Sequence, residues 1–195
     1  MSRLRPLAAA LAMLPLAACL SFGAKPPATL MTLSAESTVS AGPAVAATPA
    51  GSIAVLIPSV PQALATVRVP VQTGPTAIAY LKDAQWVDTP NKLFRTVLAE
   101  TIEARTGKQV PDARNFALAP EVRLSGRLVN FGLDAAKGEA VATFDATLAR
   151  EGSDQTQNRR FEARVATGSE KAPAVAAALN SAANQVAAEV ADWVK

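Results

Sequence analysis

Three consecutive stretches in the second half of this chain alternate apolar and polar residues, and they constrain the fold more than any other feature. Val122, Leu124 and Leu128 alternate with Arg123, Ser125 and Arg127. Ala140, Ala142, Phe144, Ala146 and Leu148 alternate with Thr143, Asp145 and Thr147. Phe161, Ala163 and Val165 alternate with Arg160, Glu162 and Arg164. A period of two sends one set to each face of a pleated strand. Polar turns at 134–138 and 151–155 separate the stretches. The region therefore predicts an antiparallel meander with one apolar face. In the first stretch the apolar phase moves to Val129, Phe131 and Leu133. That shift predicts a bulge, or a strand covered on both faces near its end.

The apolar face needs a cover, and two helical patterns supply one. Thr89-Pro90 is a helix start, with Thr at the N-cap and Pro at the first helical position. Leu93, Phe94, Val97, Leu98 and Ile102 follow at helical spacing, and Gly107 suits the C-terminal cap. A second helix is predicted over 172–194, where Val175, Leu179, Ala182, Val186, Val190 and Trp193 form one stripe. Its alanines permit close approach to a sheet. Upstream, residues 53–57 form a continuous β-rich apolar run closed by Pro58, suited to a strand buried on both faces. Residues 67–71 and 76–81 read as two extended pieces split by Gly74-Pro75. The pattern predicts an α/β (α+β) two-layer sandwich, with a mostly antiparallel sheet and two main helices.

The first residues read as an address. Arg3 and Arg5 precede an apolar run over 7–18, and small residues lead into Cys19, the only cysteine. Positive charge, then apolar residues, then small residues is the order of a secretory signal. The run is well short of the ~20 residues that span a bilayer, and Pro15 interrupts it. Leu16, Ala17 and Ala18 directly before Cys19 resemble a bacterial lipobox, the element read by the lipoprotein signal peptidase. That resemblance implies a lipid-modified Cys19 carrying fatty acyl chains such as palmitate, with residues 1–18 removed. A plain secreted protein cut at Ala18 is the alternative, and it would leave a lone free thiol. Residues 19–51 then divide into a short tether over 20–27, a brief strand over 29–34, and a flexible loop rich in Ala, Ser, Thr, Gly and Pro over 35–51. The compact domain is expected over 52–195, one core's worth of chain.

Composition narrows the chemistry. The formal charge of +3 falls to +1 when Arg3 and Arg5 leave with the signal. No basic cluster interleaves with aromatics, so nucleic-acid binding has no support. Histidine is absent from the 195 residues, which removes the commonest general base and a principal zinc and copper ligand. With the one cysteine assigned to the anchor, no thiol nucleophile and no internal disulfide remain. No metal site is expected. A Gly-rich phosphate loop and a Gly-x-Ser-x-Gly nucleophile elbow are both missing, against an ATPase and a lipid or cell-wall hydrolase.

Several blocks taken in order carry a family resemblance. A lipobox precedes Leu30-Met31-Thr32-Leu33; then come Ile53-Ala54-Val55-Leu56-Ile57-Pro58, Gly74-Pro75 leading into Ala77-Ile78-Ala79-Tyr80, and Ala84-Gln85-Trp86-Val87-Asp88 ahead of the first helix. The closing helix carries Ala187-Ala188-Glu189-Val190-Ala191-Asp192-Trp193. Together these resemble the ABC-type transport auxiliary lipoproteins, the PqiC-like family; Met31 stands where an aromatic residue is more usual. The resemblance covers essentially the whole mature chain and brings no catalytic residues or cofactor with it. It implies a non-catalytic lipoprotein serving an MCE-type (phospho)lipid transport system, beside an MCE-domain protein and an ABC permease and ATPase. Leu20 after Cys19, rather than Asp, implies sorting to the periplasmic face of the outer membrane. A structural lipoprotein partnering an outer-membrane β-barrel or envelope assembly complex is the alternative.

Among the remaining residues, Tyr80 and Trp86 are candidates for a docking or lipid-contacting surface, or they pack under the helix that follows. Trp193 could meet a membrane interface, though its place on the apolar stripe favours the core. Arg159, Arg160 and Arg164 could contact phospholipid headgroups or form a solvated strand face. Asp145 and Glu162 read as solvent-side strand residues, with nothing to pair them as a catalytic dyad.

Overall fold

The structure is a computed structural model that describes residues 29–43, 46–112 and 119–195. The element order is β1 (Ile53–Val55), a 3-10 turn (Gln62–Leu64), β2 (Arg68–Gly74), β3 (Ala77–Gln85), α1 (Pro90–Thr106), β4 (Val122–Asp134), β5 (Glu139–Arg150), β6 (Thr156–Ala166) and α2 (Ala172–Trp193). The strands form one mixed six-stranded sheet in the order β3-β2-β4-β5-β6, with β1 also beside β4. The three alternating stretches are β4, β5 and β6, paired antiparallel through 134–139 and 150–156. The fold is the expected α+β sandwich, with helices on one face of the sheet.

The phase shift in β4 is a bulge. The register slips between Leu128 and Asn130. Leu128 faces Phe144 before the slip, while Phe131 and Leu133 face Ala142 and Ala140 after it. One extra residue keeps the apolar side chains on the helix face along a thirteen-residue strand.

Strand β4 also carries two partners on its other edge. β1 runs parallel to it at residues 122–124, and β2 runs parallel at 133–134. Between them the chain makes an excursion through the 3-10 turn. The run expected as one strand over 53–57 stops at Val55. The next bridge to β4 is Ser59 to Arg127, so four residues lie against three after the Val55–Leu124 pair. The extra residue turns Leu56 and Ile57 outward, to 36% and 53% exposure. The two-sided burial expected of this run therefore ends at Val55. Where β2 draws alongside, Gly132 leaves room: a Cβ there would overlap the Pro70 carbonyl oxygen.

The helices begin and end as the sequence directs. Pro90 opens α1, and Gly107 closes it in the left-handed conformation with φ 73°. Thr89 occupies the N-cap position, but its side chain makes no cap bond. Its hydroxyl turns to Asp88 instead, and the Thr89 carbonyl receives the first helical N–H groups. Phe94 from α1 meets Phe131 and Phe144 at ring distances of 6.4 and 5.4 Å. Five rings, those of Trp86, Phe94, Phe131, Phe144 and Phe161, are all but sealed from solvent. Each such burial contributes about 1.5–3 kcal/mol. Along α2, Ala178, Ala182, Ala183, Ala187 and Ala191 are buried, and the small side chains let α1 and the sheet approach closely.

The segment expected as a brief strand and then loop docks instead as a strap. Met31 makes a single parallel bridge to Trp86. The chain then crosses α2. The Ser34 amide donates to Asn180 Oδ1, the Glu36 amide donates to Asn184 Oδ1, and Asn184 Nδ2 donates to the Ser34 carbonyl, at 2.8 to 2.9 Å. Leu33 is buried in the same core as the helices. The packed structure thus starts near Met31, ahead of the Ser52 boundary read from composition. A low-complexity segment conceals this because its backbone is held by two distant amides.

Two substitutions test these contacts. Gly132→Ala should destabilise the protein by about 1–3 kcal/mol in chemical denaturation, since β2 leaves its Cβ no space. Asn184→Ala should cost about 1–3 kcal/mol and speed amide exchange at Glu36, whose N–H loses its acceptor.

Candidate functional site

Of the residues singled out by sequence, Cys19, Leu16, Ala17 and Ala18 lie outside the described residues. Tyr80 and Trp86 are both on the edge of the sheet nearest the strap, and they separate there. Trp86 is 1% exposed and packs 5.7 Å from Phe131. Its chain neighbours hold the strap, the Met31 amide donating to the Gln85 carbonyl and the Val87 amide to the Met31 carbonyl, and Trp86 offers no docking surface itself. The side chain is drawn inward into the core cluster, beside Phe131 of β4. Tyr80, earlier in β3, is only partly buried. Its hydroxyl donates to the Ala63 carbonyl at 3.4 Å, and the Arg68 guanidinium lies 4.1 Å over its ring. Tyr80 therefore clips the 3-10 turn to the sheet.

Beside that clip is an apolar hollow of about 320 Å³. Leu64, Pro70 and Leu133 line it, with Ile78 and Val129. Gln72 and Asn130 add polar atoms. Three local features converge on it: the β4 bulge delivers Val129 and Asn130, the excursion after β1 delivers Leu64, and the β2–β3 hairpin delivers Ile78, which is 53% exposed. Sequence reasoning missed the hollow, because its walls come from segments about fifty to seventy residues apart. The one local sign was the phase shift at Val129.

The helix-free face of β4, β5 and β6 is a ladder of paired charges. Arg160 grips Asp145 with two bonds of 2.6 and 2.7 Å. Arg164 Nε donates to Glu162 at 2.8 Å and lies 3.5 and 3.6 Å from Asp134 and Glu139. Thr143 donates to Glu162 at 2.9 Å. The Arg160 hydrogen bonds hold the Asp145 carboxyl below the ordinary range. The bond from Arg164, then that from Thr143, does the same for Glu162. Asp145 and Glu162 are solvent-side strand residues held ionised, the reverse of a carboxyl tuned to give up a proton near neutrality. Arg159 points to the other face and stacks 4.7 Å from the Phe161 ring. Trp193 is half-buried, 5.6 Å from the same ring, on the core side of α2. No group of three or more metal-ligating side chains occurs among the described residues. No helix among them is long and apolar enough to cross a membrane.

Comparison with known proteins supplies the family. The model of the ABC-type transport auxiliary lipoprotein component matches residues 32–191. Its first matched residue falls within the strap. No curated protein matches the chain. Protein XCC0632 from Xanthomonas campestris, assigned to the family DUF330, shares the fold with a TM-score of 0.69 at 22% identity, over 85% of this chain and 94% of that one. A second crystal structure, of an uncharacterized protein, gives 0.65 at 17% identity, over 75% and 94%.

The paired carboxylates set a pH dependence. Asp88, Asp145, Glu162 and Asp192 all have lowered values, each through a bond that needs the ionised form. Their stabilisation is present above the unfolded carboxylate range of about 4 and is lost as pH falls through the lower folded values. Lacking histidine, the protein should show a thermal midpoint that is level from about pH 5.5 to 8 and drops below about pH 4. A midpoint that moves between pH 8 and 6 would contradict this assignment.

Proposed function

The chain belongs to the family of ABC-type transport auxiliary lipoprotein components, and from that premise we propose that it is a lipid-anchored, non-catalytic accessory of an MCE-type (phospho)lipid transport system at the periplasmic face of the outer membrane. The observation that carries the reading is the family match over 32–191, and the lipobox-like Leu16-Ala17-Ala18 ahead of Cys19 supports it. Cys19 is the attachment point in this reading, and Leu16, Ala17 and Ala18 guide cleavage. Its partners are the MCE-domain protein and the ABC permease and ATPase of the same system.

The strap bears on how far such a protein reaches. Were the domain to begin at Ser52, a fully extended tether from Cys19 would span on the order of 110 Å. The strap docks the chain from Met31, so twelve residues span at most about 40 Å. The domain is then held close to its own membrane. The surface it offers includes Tyr80 with Arg68 and the neighbouring apolar hollow, which suits an apolar side chain of a partner.

Two measurements test this reading. Cys19→Ser should move the protein out of the membrane fraction or leave the precursor uncut, since each buried acyl methylene contributes about 0.8 kcal/mol to anchoring. Unchanged outer-membrane fractionation of this variant would sink the anchor. Ile78→Asp should leave the thermal midpoint within a degree or two while reducing recovery of the MCE-domain protein or permease in affinity purification severalfold. Recovery of an outer-membrane β-barrel instead would favour the assembly-complex alternative.

A further inference from the structure

Six large apolar side chains stand exposed among the described residues: Leu30, Val39, Leu56, Ile57, Ile78 and Val87. The strap brings two of them together. The Met31 amide donates to the Gln85 carbonyl and the Val87 amide donates to the Met31 carbonyl, so Met31 lies in a parallel bridge opposite Trp86. Met31 and Trp86 pack toward the core, and alternation sends their chain neighbours to the outer side. Leu30 and Val87 therefore share the outer side of this short ribbon, at 47% and 54% exposure. With strands ~4.8 Å apart and same-face residues ~6.6 Å apart along a strand, their diagonal separation is about 8 Å. They form one apolar patch where the strap begins. The charges beside it balance: Lys92 pairs with Asp88 at 3.1 Å, and Lys82 is followed by Asp83.

The chain ahead of the patch says what covers it. Leu30 is eleven residues from Cys19. A chain of that length spans at most about 40 Å when fully extended and about half that as a coil. We propose that Leu30 and Val87 rest in the interface of the bilayer that carries the anchor, so that the domain touches its own membrane at the start of the strap. The inference rests on the lipid-anchor reading and adds an orientation to it.

Two aliphatic side chains are too little to hold a free protein on a bilayer, and here they need not. The anchor confines the patch to a thin layer above the membrane, where the bilayer is present at high effective concentration. Contact then needs only the gain from burying the remaining apolar area of Leu30 and Val87, a second, weak signal beside the acyl chains. Ile78 is the contrast. It is as exposed as Val87, at 53%, but it lines the hollow at the other end of β3. The balanced charges around the patch predict a contact that depends little on anionic lipid.

Nitroxide accessibility on the acylated full-length chain, reconstituted in phosphatidylcholine vesicles, tests the contact. With the Cys19 sulfur carrying lipid, Val87→Cys has one free thiol to label. Ile78→Cys and Ser153→Cys supply exposed positions elsewhere on the domain. The label at 87 should be severalfold less accessible to a water-soluble nickel chelate than those at 78 and 153, and more accessible to oxygen. Adding Leu30→Asp should abolish the difference, with circular dichroism verifying that this variant remains folded. Phosphatidylglycerol in the vesicles should change the contrast little. Vesicle flotation reports the anchor separately. Protein that floats while its label at 87 stays as exposed as that at 153 would overturn the contact and leave the anchor standing. Protein that does not float would overturn both. A label at 87 shielded from oxygen as well as nickel would place the patch against protein and overturn the proposal. So would equal immersion at 78 and 87, which would trace insertion to the label itself.

Discussion

The contact on which the rest of this fold depends is the meeting of Phe131 with Trp86 on one side and Phe94 on the other. Phe131 lies three residues past Leu128, just beyond the β4 bulge, so the bulge decides that this ring faces the helices at all. Through it the end of β3, the middle of the sheet and α1 are tied into one core. Phe94 extends the cluster to Phe144 of β5. Losing a buried ring of this size typically costs about 3–5 kcal/mol. That is a large part of the 5–15 kcal/mol by which domains are stable. The ring carries strand order, helix placement and strap position together.

The same bulge has a second consequence on the sheet's other side. Residues that are not part of the core at that point, Val129 and Asn130, turn toward the excursion that separates β1 from β2. The hollow beside Tyr80 is what remains between them. A single inserted residue thus sets both the inner packing and an apolar hollow of the outer surface. The charged ladder further along the sheet has a different origin. There the period of two is unbroken, so every second residue of β5 and β6 points to the helix-free face, and opposite charges settle across from one another.

The strap changes what the N-terminal half means for function. Asn180 and Asn184 satisfy its backbone from one helix, and Leu33 joins the core. An anchored chain held this way has a short leash. A family whose members serve membrane transport would, on the proposed reading, position its domain by the membrane rather than deep in the periplasm.

Much of this was legible in the sequence because it depends on near neighbours along the chain. Period-two alternation marked β4, β5 and β6, and the phase shift marked the bulge. Thr89-Pro90 and Gly107 bounded α1, and the apolar stripe marked α2 with Trp193 on its inner side. The family resemblance drew on the same local blocks. What tertiary structure alone decided were relations between distant residues. Two parallel strands share one edge of β4, Ile57 turns outward, Trp86 turns inward, and the strap is fastened across α2. The hollow is assembled from three segments. The physical reason is one of range: backbone preference and side-chain periodicity act within a turn or a strand, whereas burial and backbone pairing depend on what arrives from elsewhere.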